Sequence, residues 1–338
     1  MNQAEEPLLP NSGSDRAVLV TGATGFVGTH TVNHLVRRGY RVRCLVRPTS
    51  DRSRLPSGVE LSEGHLLNFE SLQKAVKGCW GVMHIGGVVR VREVRDFYRI
   101  NRDGTANLVK AARESGVDRF LLCSSQAAAG PSTPDRRRQT EDPPAPVTEY
   151  GRSKLAGEET LKAAAGAMWW SIVRPPAVYG PWDVAFLTLA RWAYHGFKLR
   201  LGDGRMQIAL IHVADLARAL ALALETDQPS GRIWFATDGS DHDTRELSNL
   251  LEHELGKRAV WIAIPRWTAP MIARVIEVVA RFKGESPLLG RQKLAELMQP
   301  AWTCDDQPFR QATGFKELYD LPSGIADTVE WYLQNRWI

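Results

Sequence analysis

Ala17-Val-Leu-Val-Thr21 is an aliphatic, β-branched run of strand length, and it passes directly into Thr21-Gly22-Ala-Thr-Gly25-Phe-Val-Gly28. From Phe26 to Arg38 the apolar residues then recur with helical spacing. A strand that enters a helix through three glycines constrains the chain more than any other feature. The glycines meet separate physical needs: a tight turn, close approach of backbone to a bound group, and close packing of helix on strand. Free N–H groups and the positive end of the helix dipole converge on the same turn, which suits a pyrophosphate. The spacing is Gly-x-x-Gly-x-x-Gly, and its place between a strand and a helix gives it weight. Gly22, Thr24, Gly25, Phe26, Val27 and Gly28 are therefore expected to hold a dinucleotide.

The same rhythm continues downstream. Strands are predicted at 40–46, 59–61, 81–85, 119–123 and 168–173, with helices at 69–77, 101–115 and 150–164. Alternation of this kind predicts an α/β fold, a doubly wound parallel sheet of Rossmann type covered on both faces by helices. Residues 16–180 are read as the dinucleotide-binding domain, preceded by a flexible tail at 1–15. Residues 181–338 are read as a smaller, mostly helical substrate region interleaved with the last sheet strands. Its predicted elements include helices at 184–195 and 213–225 and strands at 207–212 and 233–236.

Composition narrows the partners. The 338 residues hold 43 Lys and Arg against 38 Asp and Glu, a mild and dispersed excess, so nucleic acid is not expected as a ligand. The uncharged stretch 120–134 is interrupted by Ser124, Ser125 and Gln126, so no membrane-spanning helix is expected. The first residues are polar and lack the layout of a signal peptide, which predicts a cytoplasmic address. Cys44, Cys79, Cys123 and Cys304 form no Cys-x-x-Cys pair and read as small buried hydrophobes. No metal site is expected either. His30 and His34 are four apart, but no Glu follows His30, and with Arg37 and Arg38 they read as a solvated helix face. Arg136-Arg137-Arg138 reads as solvated loop, with contact to an acidic substrate as the lesser reading.

Tyr150-Gly-Arg-Ser-Lys154 opens a helical run and places tyrosine and lysine on one face. A free phenol, with a pKa near 10, is a poor base. A lysine ammonium one turn away and a cationic nicotinamide ring would favour phenolate and let Tyr150 exchange a proton with a substrate oxygen. Ser125 ends the 119–123 strand, at the carboxyl edge where open α/β sheets bind ligands.

These residues resemble the extended short-chain dehydrogenase/reductase family, in its epimerase/dehydratase branch. The resemblance runs from Val18 to about Gly239. It includes the glycine turn, Asn101 in Asn-Arg-Asp-Gly-Thr-Ala-Asn107, Ser124-Ser125, the Tyr150/Lys154 pair, Arg174-Pro-Pro-Ala-Val-Tyr-Gly-Pro181 and His212-Val-Ala-Asp215. It implies that Ser125 and Tyr150 polarise the substrate oxygen, with Lys154 on the nicotinamide ribose. Backbone at Val178 would meet the carboxamide, and Asn101 would support the site beside the cofactor. Gly64-His65-Leu66 stands where members often have Gly-Asp-Leu, which leaves Leu66 near the adenine without an acid before it. Gln126 and Ala127 replace the acidic pair of nucleotide-sugar dehydratases, and Ile208 replaces an Arg that commonly grips a nucleotide diphosphate.

The resulting expectation is an NAD(P)-dependent oxidoreductase acting on a bulky, largely apolar hydroxy or keto substrate, nearest in character to 3β-hydroxysteroid dehydrogenase-like and flavonoid-reductase-like members. The alternative is a sugar or nucleotide-sugar epimerase with tightly held NAD. A non-catalytic cofactor sensor is a third class, disfavoured by the Tyr/Lys pair. NADP is expected over NAD because the 40–46 strand ends at Arg47 where an NAD enzyme typically has an acid, and Thr49, Ser50 and Arg52 add donors. The apolar stretch Trp261 to Val279 is expected to pack as core, with a pocket wall or a membrane-resting surface as the sharper reading. A monomer or homodimer is expected.

Overall fold

The computed structural model describes residues 16–202, 204–283 and 290–338; the expected tail at 1–15 lies outside the described residues. The chain begins with β1 (Ala17–Thr21), α1 (Phe26–Arg37), β2 (Arg41–Val46), β3 (Glu60–Glu63), α2 (Phe69–Val76) and β4 (Gly81–His84). Next come α3 (Val94–Tyr98), a π-helical turn (Arg99–Asp103), α4 (Gly104–Glu114), β5 (Arg119–Cys123), α5 (Gln126–Ala129), α6 (Glu149–Ala164) and β6 (Trp169–Arg174). The later elements start with β7 (Ala177–Tyr179), α7 (Val184–Tyr194), β8 (Phe197–Leu201), β9 (Gln207–His212), α8 (Val213–Glu225) and β10 (Arg232–Phe235). They close with β11 (Asp241–Asp243), α9 (Thr244–Leu255), β12 (Val260–Ile264), α10 (Ala269–Lys283), α11 (Arg291–Leu297), β13 (Ala301–Trp302), α12 (Gln307–Thr313) and α13 (Leu321–Gln334).

Seven strands form one parallel sheet in the order β10-β6-β5-β4-β1-β2-β3. All five residues of β1 are buried. Val18 and Val20 join one core with Val42, Cys44, Leu216 and Leu220, while Leu19 joins the opposite core with Leu72, Leu108 and Phe120. Two covered faces explain why the strand reads as a continuous apolar run. Each such side chain, fully buried, contributes about 1.5–3 kcal/mol. Strand order reverses between β1 and β4, so a crevice opens at their carboxyl ends.

Later residues build a second layer on β9, flanked by β7, β11 and β13. Tyr179, Phe186, Leu251, Ile325 and Tyr332 form its core. β8 and β12 pair separately and in parallel. Apart from β9, which was expected, these strands run two to five residues, too short for periodicity to give a handle.

Four expectations are corrected or refined by packing. The histidine pair of α1 does not form a solvated face: His34 is buried, and His30 is half-buried with its Nε2–H donating to the Pro181 carbonyl at 3.1 Å. The reason is that α8 packs along α1. Trp267, Met271 and Val275 do not pack as core; they are exposed. The helix expected over 101–115 starts as a π turn, which turns Asn101 inward. The arginine run is solvated only in part: Arg136 is exposed, whereas Arg137 and Arg138 are half-buried, with Arg137 paired to Asp241 at 2.7 Å.

Beneath the carboxyl edge, Glu158 of α6 and Arg174 of β6 form a fully buried ion pair with two bonds of 2.9 and 2.7 Å, and the Ser124 hydroxyl also donates to Glu158. Removing one member strands the other charge away from water. Glu158→Ala is expected to destabilise the fold by about 3–5 kcal/mol in urea denaturation, whereas Glu158→Leu with Arg174→Met should restore most of the loss.

Candidate functional site

The crevice begins at the glycine turn. Gly22 has φ +71°, and a Cβ on it would lie 2.7 Å from the Gly86 nitrogen; a Cβ on Gly28 would lie 2.0 Å from the Gly22 carbonyl oxygen. Neither position admits a side chain. Gly25 is exposed, and no side chain caps the first turn of α1. Thr24, Phe26 and Val27 are half-buried around this cradle. Bare backbone beside uncapped helical N–H groups is what a dinucleotide phosphate requires, so the residues fit the cofactor.

Arg47 stands exposed at the end of β2, over a hollow also lined by Thr49, Glu63, His65 and Asn68. Arg52 is not a free donor here, since it pairs with Glu63 at 2.7 Å. Glu63 was not singled out from the sequence; an exposed acid in a short edge strand carries no signal there. Leu66 is half-buried and packs against Gly104, and its carbonyl accepts from the Asn107 amide at 3.0 Å.

A buried chain of hydrogen bonds links the turn to the start of α4. The Gly86 N–H donates to the Thr21 hydroxyl at 3.0 Å, and Thr21 lies 2.6 Å from His84 Nδ1. His84 Nε2 lies 3.0 Å from the Thr105 hydroxyl, which donates to the Asn101 carbonyl at 2.7 Å. The two ends assign the middle: Thr21 donates to Nδ1, and Nε2–H donates to Thr105. The amide of Asn101 is occupied as well. Its Oδ1 accepts from the Val88 N–H at 2.9 Å, and its Nδ2 donates to the Val88 carbonyl at 3.0 Å and to Ser153 Oγ at 2.9 Å. Asn101 therefore braces the β4–α3 loop against α6. Thr105 and Ser153 were given no role from the sequence, because isolated threonines and serines leave no pattern.

Ser125, Tyr150 and Lys154 converge at the carboxyl edge. Thr148 caps α6 by accepting from the Gly151 N–H at 3.1 Å, and Gly157 lets the helix approach so closely that a Cβ would lie 2.3 Å from the Asn101 carbonyl oxygen. Ser125 caps α5, its Oγ accepting from the Ala127 N–H at 3.1 Å. The Ser125 side chain lies against the Tyr150 phenol, and Lys154 Nζ donates to the Cys123 carbonyl at 2.7 Å. In the chain by itself burial dominates the electrostatics: it pushes the Tyr150 phenol up, with Ser125 opposing, and pushes the Lys154 ammonium down. The phenolate-favouring influence expected of Lys154 is not among the causes that shift the phenol, and loss of water dominates. Val178 lies in β7, half-buried and paired with Ile211 of β9.

Helix α11 covers this corner. Gln292 Oε1 accepts from the Glu149 N–H at 2.7 Å, and the Glu296 carboxylate raises the Tyr150 phenol further. Nothing in the sequence marks either residue. Among the described residues no group of three side chains is arranged to hold a metal.

The sequence model of the NAD dependent epimerase/dehydratase family matches residues 18–235. Ceramide reductase of Caulobacter vibrioides is 31% identical over 95% of this chain and 96% of its own length. UDP-glucose 4-epimerase of Vibrio cholerae is 27% identical over 94% of this chain and 96% of its own. Among solved structures, gox2253 superposes with a TM-score of 0.80 at 26% identity, covering 95% of this chain and 99% of that one.

Burial also sets a pH dependence. His84 is held down to about 3 and His30 to about 4, each from 6.5, chiefly because burial disfavours the imidazolium. The unfolded chain takes up these protons and the fold does not, so stability is complete above pH 6.5 and falls as pH drops towards the folded values. For His84 the loss at pH ~4 is about 3 kcal/mol. Urea midpoints measured across this range should fall steeply in the wild type and more gently in His84→Gln; equal slopes would remove His84 as the cause.

Proposed function

The chain belongs to the NAD dependent epimerase/dehydratase family, and from that premise we propose that it is an NADP-preferring reductase of a bulky, apolar ketone. The observation that carries the reading is the convergence of Ser125, Tyr150 and a buried Lys154 at the sheet's carboxyl edge. When bound, the nicotinamide supplies the hydride. Ser125 donates a hydrogen bond to the substrate carbonyl oxygen, and Tyr150, protonated because burial holds its proton on, delivers that proton to the same oxygen. Lys154 takes the nicotinamide ribose, and its charge steadies Tyr150 once the proton has left. The glycine turn takes the pyrophosphate, and backbone at Val178 takes the carboxamide. Asn101 acts through others by holding α6 in register.

Several features support an apolar substrate over a nucleotide sugar. Gln126 and Ala127 are buried in α5, so no carboxylate follows Ser125. Ile208 is buried in the second core, where sugar enzymes of this type commonly place an arginine. The ceramide reductase relative acts, by its name, on a lipid, and its likeness spans nearly the whole chain. For the cofactor, Arg47 has no carboxylate partner among the described residues, while the Glu63 charge is offset by Arg52. A 2′-phosphate would find a guanidinium there rather than a repelling acid.

Two measurements test this. Nicotinamide absorbance should fall when NADPH is supplied with long-chain keto-lipids, hydroxysteroid-derived ketones or aromatic ketones, and should not change with UDP-glucose. Conversion of UDP-glucose without net cofactor turnover would replace the reading with epimerisation. On any confirmed substrate Tyr150→Phe should lower kcat by about 10²–10⁴-fold with cofactor affinity nearly intact. For the cofactor, Arg47→Ala should weaken NADPH about tenfold and leave NADH almost unchanged. Equal weakening of both, or wild-type preference for NADH, would reject the NADP assignment.

A further inference from the structure

The first half of α10 presents Met271, Ile272 and Val275 to solvent. Trp267, just before it, and Met271 and Val275 within it are spaced by four and are 79%, 64% and 59% exposed. Ile272 lies beside them, while Ala269 and Ala273 on the other side are buried. Small residues thus face the protein and large ones face water, the reverse of an ordinary surface helix. β12, four residues earlier, adds exposed Val260 and Ile262, and Phe197 is exposed opposite Val260 on β8. Soluble monomers seldom present so many large apolar groups on one short segment without a partner.

Charge says which partner. Residues 257–283 carry six Lys and Arg and one acid, Glu277, which is already paired with Arg291 at 2.8 Å. Arg266 and Arg274 are exposed beside the apolar stripe, with no carboxylate partner among the described residues. A second copy of this face would bring like charges together. An anionic bilayer matches both the stripe and its cationic flanks, with Trp267 at the level of the headgroups.

The face also lies close to the chemistry. α10 packs on α11, and α11 carries Gln292, bonded to the start of α6, and Glu296, whose charge reaches Tyr150. We infer that Trp267 and α10 seat the protein on an anionic lipid surface, so that the apolar substrate is met at the bilayer beside α11. This deepens the reading of a keto-lipid reductase and rests on it for the identity of what is drawn from the membrane; the docking itself rests on the surface alone.

The test is flotation of the full chain with vesicles of equal parts phosphatidylcholine and phosphatidylglycerol, compared with phosphatidylcholine alone. The wild type should float with the anionic vesicles and be released by high salt. Trp267→Ala with Met271→Ser should weaken binding about tenfold, and Arg266→Gln with Arg274→Gln about thirtyfold. All four positions are exposed, so melting temperatures should be unchanged, which separates lost docking from lost folding. A wild type that stays with the soluble fraction on both vesicles overturns the inference. So does a dimer in light scattering that Trp267→Ala dissolves, since the face then belongs to a second copy. Because flotation needs neither substrate nor cofactor, vesicle binding by a protein that epimerises UDP-glucose would reject only the reductase reading. Keto-lipid reduction in detergent by a protein that never floats would reject only docking.

Discussion

His84 sits where β4 ends, between a threonine that closes the glycine turn and a threonine that begins α4, and it can satisfy both only as the neutral imidazole with its proton on Nε2. The Gly86 amide at one end and the Asn101 carbonyl at the other are backbone groups, so the direction of every bond between them is set. A charged ring would have two donors and would lose its acceptor bond from Thr21. Burial keeps the ring neutral. The glycine turn and the brace of α6 are thereby held to one another through a single side chain. The fold and the site share that joint.

Much of this was legible in the sequence because its signals are local. Val18, Leu19 and Val20 read as a buried strand since both faces of the sheet are covered, and Gly22, Gly25 and Gly28 read as a cradle because glycine has few other reasons to recur between strand and helix. Tyr150 and Lys154 announced themselves by one helical turn. The unread part depends on contacts between distant segments. Glu63 bears on Arg47 only once β2 and β3 pair, and Gln292 reaches Glu149 across 143 positions. The π turn at Asn101 has no periodicity to betray it. His34 looked solvated beside two arginines because nothing in α1 says that α8 will lie along it.

The apolar stretch after Val260 shows the same limit from the other side. Composition alone makes Trp267, Met271 and Val275 look like core, since large apolar residues at helical spacing usually are. Which face of a helix is inward depends on its neighbours, and here two alanines occupy the inward face. Pattern gives a stripe; only packing tells which way the stripe points.

The Glu158–Arg174 pair has a consequence for how this chain can vary. Either residue changed by itself leaves a bare charge beneath the active-site edge, so drift at one position is blocked while the other stands. An apolar pair of the same volume would serve the core as well, but it lies across a valley that two separate steps cannot cross. The pair acts as a lock on descent: two positions, sixteen residues apart, must be inherited together.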